Sequence, residues 1–121
     1  MKRCLIVDDS RIVRKVARKI LEAMDFSIEE AEDGAAALES CRQAMPTAIL
    51  LDANMPAKGS VEFLRSLRSE TDGHKPIVLL STSENNIEQI TEAVHAGANE
   101  FIMKPFDSGV IEAKFADVGL V

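Results

Sequence analysis

The sequence predicts an α/β fold in which helices cover both faces of a parallel sheet. Four apolar runs of strand length, bounded by turn signals, alternate with amphipathic helical patterns. The run Ala48–Leu51 has no polar break, which is typical of a strand buried on both faces. The connections have the length of crossovers, which make neighbouring strands parallel.

Five strands and five helices follow in alternation. The strands are predicted at Arg3–Val7, Phe26–Ala31, Ala48–Leu51, Ile77–Ser81 and Asn99–Met103. The helices are predicted at about Arg11–Met24, Ala35–Met45, Ser60–Arg68, Asn86–Ala96 and Ser108–Val118.

Several helix ends carry sequence signals. Ser10 is a good N-cap for the first helix, and Pro46 ends the second. Asn85 and Glu88 have capping-box spacing before the fourth helix, and Gly97 fits its end. The residues predicted to face the sheet are Val13, Val16, Ala17, Ile20 and Met24, then Leu38, Cys41 and Met45, then Val61, Leu64 and Leu67, then Ile87, Ile90 and Val94, and finally Ile111, Phe115 and Val118.

Composition limits the class of protein. We expect the 121 residues to form one domain with a buried core and no separate output domain. The net charge of −6 argues against nonspecific nucleic-acid binding. No apolar stretch approaches the roughly 20 residues of a membrane span. Cys4 and Cys41 lie on predicted core faces, so we expect buried free thiols and a cytoplasmic location.

Polar side chains stand where four predicted strands end. Asp8 and Asp9 follow the first strand, while Asp52, Ser81 and Lys104 follow or end the third, fourth and fifth. Because the carboxyl ends of parallel strands meet at one edge, we expect these residues to converge. Clustered carboxylates repel one another unless a proton or a cation intervenes, and an oxygen-rich site suits Mg²⁺ or Mn²⁺.

These residue types suit phosphoryl transfer. Asp52 is the best nucleophile, because a carboxylate can carry a phosphoryl group as an acyl phosphate. Lys104 offers a positive charge and Ser81 a hydroxyl donor for a phosphoryl oxygen. Each residue alone has an ordinary explanation as a helix start, a turn or a strand end. Their coincidence on successive strand ends favours a functional site.

The motifs resemble the receiver domain of two-component response regulators over nearly the whole chain. The matching segments are Leu5–Ser10, Leu51–Pro56, Pro76–Ser81, Ala96–Ala98 and Lys104–Phe106. The resemblance implies a flavodoxin-like fold with five parallel strands in the order 2-1-3-4-5. It also implies a single-domain, chemotaxis-regulator-like protein that accepts phosphate from a histidine kinase or phosphotransferase. Such a protein is not a conventional enzyme, since it catalyses only its own phosphorylation and dephosphorylation.

The resemblance also implies roles for the residues at the sheet edge. Asp52 would be the phosphate acceptor, and Lys104 would bind the phosphoryl group. Mg²⁺ would be held by Asp8, Asp9 and Asp52 together with the backbone carbonyl of Asn54.

A switch is implied as well. Ser81 would move toward the phosphoryl group, and Phe101 would be the switch aromatic, without the hydroxyl of the commoner Tyr. Phosphorylation would then reshape the face of the fourth helix, fifth strand and fifth helix, where a downstream protein binds. Asn54, Thr82 and Ser83 flank the site at positions expected to influence attack by water, and Thr82 is larger than the residue usual there.

Two other regions need comment. The loop after Pro56 departs from the family pattern, with Gly59 and Ser60 shifted and Lys58 in place of an apolar residue. A basic stripe on the first helix is either a solvated face or a docking surface for an acidic kinase or phosphotransferase helix. The stripe consists of Arg11, Arg14, Lys15, Arg18 and Lys19.

Alternative functions remain open. The chain could act as a phosphate sink for a kinase. It could also be a Mg²⁺-dependent small-molecule phosphohydrolase, although no second acid follows Asp52 by two residues to act as general acid. A binding module that has lost phosphorylation is a third possibility, which the complete acidic set and Lys104 disfavour. His74 and His95 lack metal-ligand company and are predicted to be structural or surface residues.

Overall fold

The computed structural model describes residues 1–55, 59–83 and 86–121. Strands and helices alternate through these residues as predicted. The strands are β1 (Arg3–Val7), β2 (Ser27–Ala31), β3 (Ala48–Asp52), β4 (Ile77–Thr82) and β5 (Glu100–Met103). The helices are α1 (Arg11–Ala23), α2 (Gly34–Gln43), α3 (Gly59–Ser69), α4 (Ile87–Ala96) and α5 (Ser108–Asp117).

The five strands form one parallel sheet in the order β2-β1-β3-β4-β5, which confirms the predicted fold. All five residues of the central strand β3 are buried, as its unbroken apolar run predicts. No described helix combines the length and the apolar surface that crossing a bilayer requires.

The core consists of two apolar clusters, one on each face of the sheet. Residues of α2, α3 and α4 pack against one face, and residues of α1 and α5 pack against the other. Cys41 belongs to the first cluster and Cys4 to the second, and both thiols are free. Burial raises the pKa of Cys4 to about 12 and that of Cys41 to about 11. The two thiols are therefore inert packing groups.

The helix caps agree with the sequence signals except at α4. Ser10 caps α1 by accepting a hydrogen bond from the Val13 backbone N–H. The predicted cap Asn85 lies outside the described residues, and the N-cap of α4 is Asn86, whose side chain accepts from the Gln89 N–H. Glu88 is thus one position too early for the predicted capping box. Gly97 ends the helix with a φ of +129°, a conformation that favours glycine.

Three residues predicted to be core are exposed. Ile87 is 73% exposed, and Val16 and Val94 are each 46% exposed. In α4 only the small residues Ala93 and Ala96 are buried. Apolar spacing indicates a helix but does not decide which of two adjacent rows faces the sheet, and here alanines take the inner row.

Arg68 joins three segments at the end opposite the polar edge. Its Nε and one terminal nitrogen donate to the Gly97 carbonyl, at 3.1 and 2.7 Å. The guanidinium also donates to the carbonyls of Gly73 and Pro76 and to Oδ1 of Asn99. A single side chain therefore links the end of α3 to the end of α4 and the start of β4.

Candidate functional site

The carboxyl ends of β1, β3, β4 and β5 bring the predicted polar residues to one edge. Asp52 and Ser81 are register partners on adjacent strands. Asp8 directly follows β1, and Lys104 directly follows β5, where its backbone N–H donates to the Thr82 carbonyl at 2.7 Å. The parallel register thus gathers residues that are far apart in the chain.

Three carboxylates form the centre of this edge. Asp8, Asp9 and Asp52 each offer an oxygen, and these oxygens lie within 4.8 Å of one another. Asp8 and Asp52 are each 2% exposed, whereas Asp9 is exposed to solvent. Oxygens of an octahedral Mg²⁺ site lie about 3 to 4 Å apart, since each bond is about 2.1 Å long. The cluster therefore fits a small oxygen-coordinated cation with room for water.

Lys104 forms ion pairs with both buried acids. Its Nζ lies 2.9 Å from Asp8 Oδ2 and 3.0 Å from Asp52 Oδ1. Burial alone would lower the pKa of Lys104, but the hydrogen bonds and charges of the two carboxylates outweigh it and raise the pKa. The lysine is therefore cationic throughout the neutral range.

Backbone groups fix the orientation of both buried carboxylates. Asp8 Oδ1 accepts from the Ser10 N–H at 2.8 Å, and Asp52 Oδ1 accepts from the Asn54 N–H at 3.0 Å. Asp52 Oδ1 thus receives both Lys104 and a backbone donor. Within the described residues no hydrogen bond reaches Asp52 Oδ2, so this oxygen is the one left for new bonds.

The predicted hydroxyl and lifetime residues surround the acids. Ser81 is buried and donates to the Leu51 carbonyl at 3.4 Å, so its hydroxyl points back into the sheet. Thr82 is also buried. At the exposed rim, Asn54 Nδ2 donates to Ser83 Oγ at 3.2 Å. These two side chains join the loop after β3 to the loop after β4.

Phe101 is half-buried and packs against the core cluster on the α4 side of the sheet. Lys114 Nζ lies over the ring, 5.0 Å from its centroid. The same ammonium lies 3.6 Å from Glu100 Oε1. The ring thus lies on the α4 side of the sheet, with the ammonium group of Lys114 from α5 over it.

The predicted basic stripe divides into two groups. Arg14 and Arg18 form ion pairs with Glu30 on β2, at 3.0 and 2.5 Å. Arg11, Lys15 and Lys19 are exposed and have no ion pair with any described residue. Only the second group is available as a free positive surface.

An apolar cavity of about 300 Å³ lies between α1 and the loop after β5. Ile12, Val16, Pro105 and Phe106 contribute to its lining, and Lys104 connects it with the acidic site. Ile12 is 76% exposed, so the cavity continues into an open apolar surface.

Two polar contacts at the Ala53 carbonyl were not predicted. Gln89 Nε2 on α4 donates to the Ala53 carbonyl at 3.1 Å, and Ser60 Oγ donates to the same oxygen at 3.5 Å. A glutamine in a helix gives no signal of a partner 36 positions away. Ser60, noted only for its shifted position, is buried at the start of α3, and the unusual Lys58 lies outside the described residues.

Comparison with known proteins identifies the family of the chain. The family model of the response regulator receiver domain matches residues 4–116. Chemotaxis protein CheY-3 of Vibrio cholerae is 33% identical over 111 residues, covering 91% of this chain and 85% of the relative. Response regulator MprA of a Mycobacterium species is 38% identical over 104 residues, which cover 86% of this chain and 44% of MprA.

Among solved structures, chemotaxis protein CheY4 of Vibrio cholerae superimposes with a TM-score of 0.91 at 29% identity, covering 98% of both chains. The fold, the family match and the relatives agree with one another. The chain belongs to the response regulator receiver domain family, as a CheY-like receiver of two-component signalling.

Proposed function

We propose that the chain accepts a phosphoryl group on Asp52 from a histidine kinase or a phosphotransferase and then signals by binding a downstream protein. The observation that carries this proposal is the bridging of Asp8 and Asp52 by Lys104 within the three-carboxylate cluster. Phosphoryl transfer depends mainly on positioning and on neutralising charge, and this cluster supplies both.

In the proposed transfer, Asp52 Oδ2 attacks the phosphorus of a phosphohistidine. The new P–O bond forms as the P–N bond breaks, and the electron pair of that bond returns to the imidazole of the donor. Asp52 Oδ1 keeps its hydrogen bond from the Asn54 N–H, which holds the carboxylate in position. Lys104 then moves its positive charge toward the phosphoryl oxygens.

The acids of the site would hold Mg²⁺ or Mn²⁺. Asp8, Asp9 and Asp52 are the carboxylate ligands in this proposal, and the Asn54 backbone carbonyl is the fourth. Their spacing and the exposure of Asp9 support it. When bound, the ion supplies positive charge to the phosphoryl oxygens as negative charge accumulates.

The proposed switch uses Ser81 and Phe101. The Ser81 hydroxyl leaves the Leu51 carbonyl, to which its hydrogen bond is long, and donates to a phosphoryl oxygen. Phe101 responds to the space that this movement leaves, and the output surface is formed by α4, β5 and α5. The apolar residues exposed on α4 and α5, Ile87, Val94 and Val110, support a protein-binding role for that surface.

Asn54, Thr82 and Ser83 are proposed to set the lifetime of the phosphoryl group. The hydrogen bond between Asn54 and Ser83 lies at the exposed rim, where attacking water would enter. Thr82 follows Ser81 at the end of β4 and is buried.

The proposed donor is a protein with an amphipathic, acidic helix. Its apolar stripe would cover the cavity beside Ile12 and Phe106, while its acids would face Arg11 and Lys15. Arg14 and Arg18 add to the positive field of the same helix, although both are engaged with Glu30. We place the chain in the cytoplasm, where its two buried thiols would stay reduced.

The decisive test is labelling with acetyl phosphate and Mg²⁺, followed by intact mass spectrometry. Wild type should gain one acid-stable, base-labile phosphoryl group, and Asp52→Asn should gain none. Asp117→Asn, at an exposed acid of α5, serves as the matched control and should be labelled like wild type. Labelling of Asp52→Asn would overturn the assignment. Sustained release of phosphate from a panel of phosphomonoesters would instead identify a hydrolase.

A further inference from the structure

The two halves of α4 are held in different ways. In the C-terminal half, Ala93 and Ala96 are buried, and Arg68 donates twice to the Gly97 carbonyl just beyond the helix. In the N-terminal half, no described side chain is buried, and Ile87 is 73% exposed. The helix is therefore anchored firmly at one end and only lightly at the other.

Gln89 makes a polar contact from the N-terminal half of α4. Its Nε2 donates to the Ala53 carbonyl at 3.1 Å, between α4 and the segment that follows β3. The Ala53 N–H in turn donates to the Ser81 carbonyl at 2.8 Å. Ala53 is buried between Asp52 and Asn54, so the contact reaches the centre of the site.

One peptide unit connects this contact with the acceptor carboxylate. The Ala53 carbonyl and the Asn54 N–H belong to the same planar group, which moves as one piece. The carbonyl accepts from Gln89, and the N–H donates to Asp52 Oδ1 at 3.0 Å. A rotation of this peptide plane that weakens one of these hydrogen bonds also weakens the other. In addition, hydrogen bonds that share a peptide group polarise each other.

We propose that Gln89 is a positioning residue that couples the N-terminal half of α4 to the Asp52–Asn54 segment through this shared peptide plane. The proposal rests on the proposed function, since it takes that segment as the metal and phosphoryl site. A change of charge at Asp52 alters the strength of its hydrogen bond from the Asn54 N–H. The peptide plane then shifts, and the hydrogen bond from Gln89 transmits this shift to α4. By linkage, a partner that moves α4 must change the affinity of the site by the same factor.

The test compares Gln89→Leu with the control Glu92→Leu, which alters the same helix and groove but removes no described hydrogen bond. In the metal-free state we measure amide hydrogen exchange of Asn54. In titrations we measure the dissociation constant for Mg²⁺ and the amide shifts of α4 on adding beryllofluoride. Loss of one hydrogen bond should change an equilibrium constant, such as the dissociation constant for Mg²⁺, by about twofold to tenfold.

Gln89→Leu should speed Asn54 exchange and weaken Mg²⁺ binding by this factor, and the early residues of α4 should lose their response to beryllofluoride. Glu92→Leu should behave like wild type in all three measurements. Wild-type behaviour of Gln89→Leu, or an equal loss in Glu92→Leu, would overturn the proposal. If wild type binds neither Mg²⁺ nor beryllofluoride, the proposed function fails, while Asn54 exchange still tests the Gln89 contact.

Discussion

Lys104 Nζ lies 3.0 Å from Asp52 Oδ1, although the two residues are 52 positions apart. The same ammonium reaches Asp8, so one cation compensates two acids that are almost completely buried. A metal ion at this site would therefore share its carboxylate ligands with the Lys104 ammonium.

Replacing Lys104 should show whether the lysine and Mg²⁺ compete for the same carboxylates. In Lys104→Met without metal, the free energy of unfolding should fall by about 2 to 4 kcal/mol, because two buried carboxylates lose their cation. The pKa of Lys104 is raised, so the wild-type pairs persist below its unfolded value of about 10.4 and are lost only as pH rises through the folded pKa. Urea unfolding at pH 7 with and without Mg²⁺ measures the effect.

Mg²⁺ should recover more stability in Lys104→Met than in wild type, whereas the response of α4 to beryllofluoride should be lost. Lys19→Met, at an exposed lysine of α1, is the control and should leave both quantities unchanged. Equal stabilisation of wild type and Lys104→Met by Mg²⁺ would argue against a shared site.

Charge reversal on α1 should separate transfer between proteins from labelling by a small molecule. Arg11→Glu and Lys15→Glu remove exposed cations without breaking a described ion pair, unlike changes at Arg14 or Arg18. With a kinase or phosphotransferase that labels wild type, each variant should react about tenfold more slowly at low salt. Acetyl phosphate should label them at the wild-type rate.

Arg65→Glu on α3 makes the same change of charge far from the cavity and is the matched control. If Arg65→Glu slows transfer as much as Lys15→Glu, net charge rather than a docking surface explains the result.

Arg68 should contribute strongly to stability. Arg68→Met leaves the carbonyls of Gly97, Gly73 and Pro76 without its donors, and we expect a loss of about 2 to 3 kcal/mol. Arg65→Met, an exposed neighbour in the same helix, should change stability by less than about 0.5 kcal/mol. Equal urea midpoints for the two variants would rule out this structural role.

The ion pairs of Glu30 should make the free energy of unfolding depend on pH in the acid range. The hydrogen bond from Arg18 lowers the pKa of Glu30 against the opposing effect of burial, and Arg14 adds to the lowering. The contribution is therefore present above the unfolded pKa of about 4.3 and is lost as pH falls through the folded pKa. Glu30→Gln should lose about 0.5 to 1 kcal/mol at pH 7, a surface-pair value.

The difference between Glu30→Gln and wild type should narrow between pH 7 and about pH 3, because the unfolded chain takes up a proton at Glu30 below a pKa of about 4.3 and the pairs lose their stabilising effect. Glu112→Gln, at an exposed acid without a described ion pair, is the control and should follow wild type at both pH values. A difference that persists undiminished at pH 3 would show that the pairs are not its cause.

The sheet and its polar edge were predictable because their signals are local. An unbroken apolar run identifies β3, and parallel strands necessarily bring Asp52 and Ser81 to the same edge. The contact of Gln89 with Ala53 and the links made by Arg68 were not predictable, because they depend on how loops lie in space. The capping residue of α4 differs by one position for the same reason.

Burial of individual helix residues was predicted less well. Val16 and Ile87 lie on apolar faces in the sequence, yet both are exposed. Helical periodicity defines a face more than one row wide, and packing against the sheet selects the row. On α1, the exposed apolar residues Ile12 and Val16 line the cavity beside Lys104.

The location of the two cysteines has a practical consequence. Each thiol lies within the interior on its own side of the sheet, with a pKa far above neutrality. Maleimide dyes and nitroxide reagents attack thiolates at the surface, so the native chain should remain unlabelled. A single cysteine engineered on an outer helix would then carry the only probe, and spectroscopy could follow that helix without first deleting either natural sulfur.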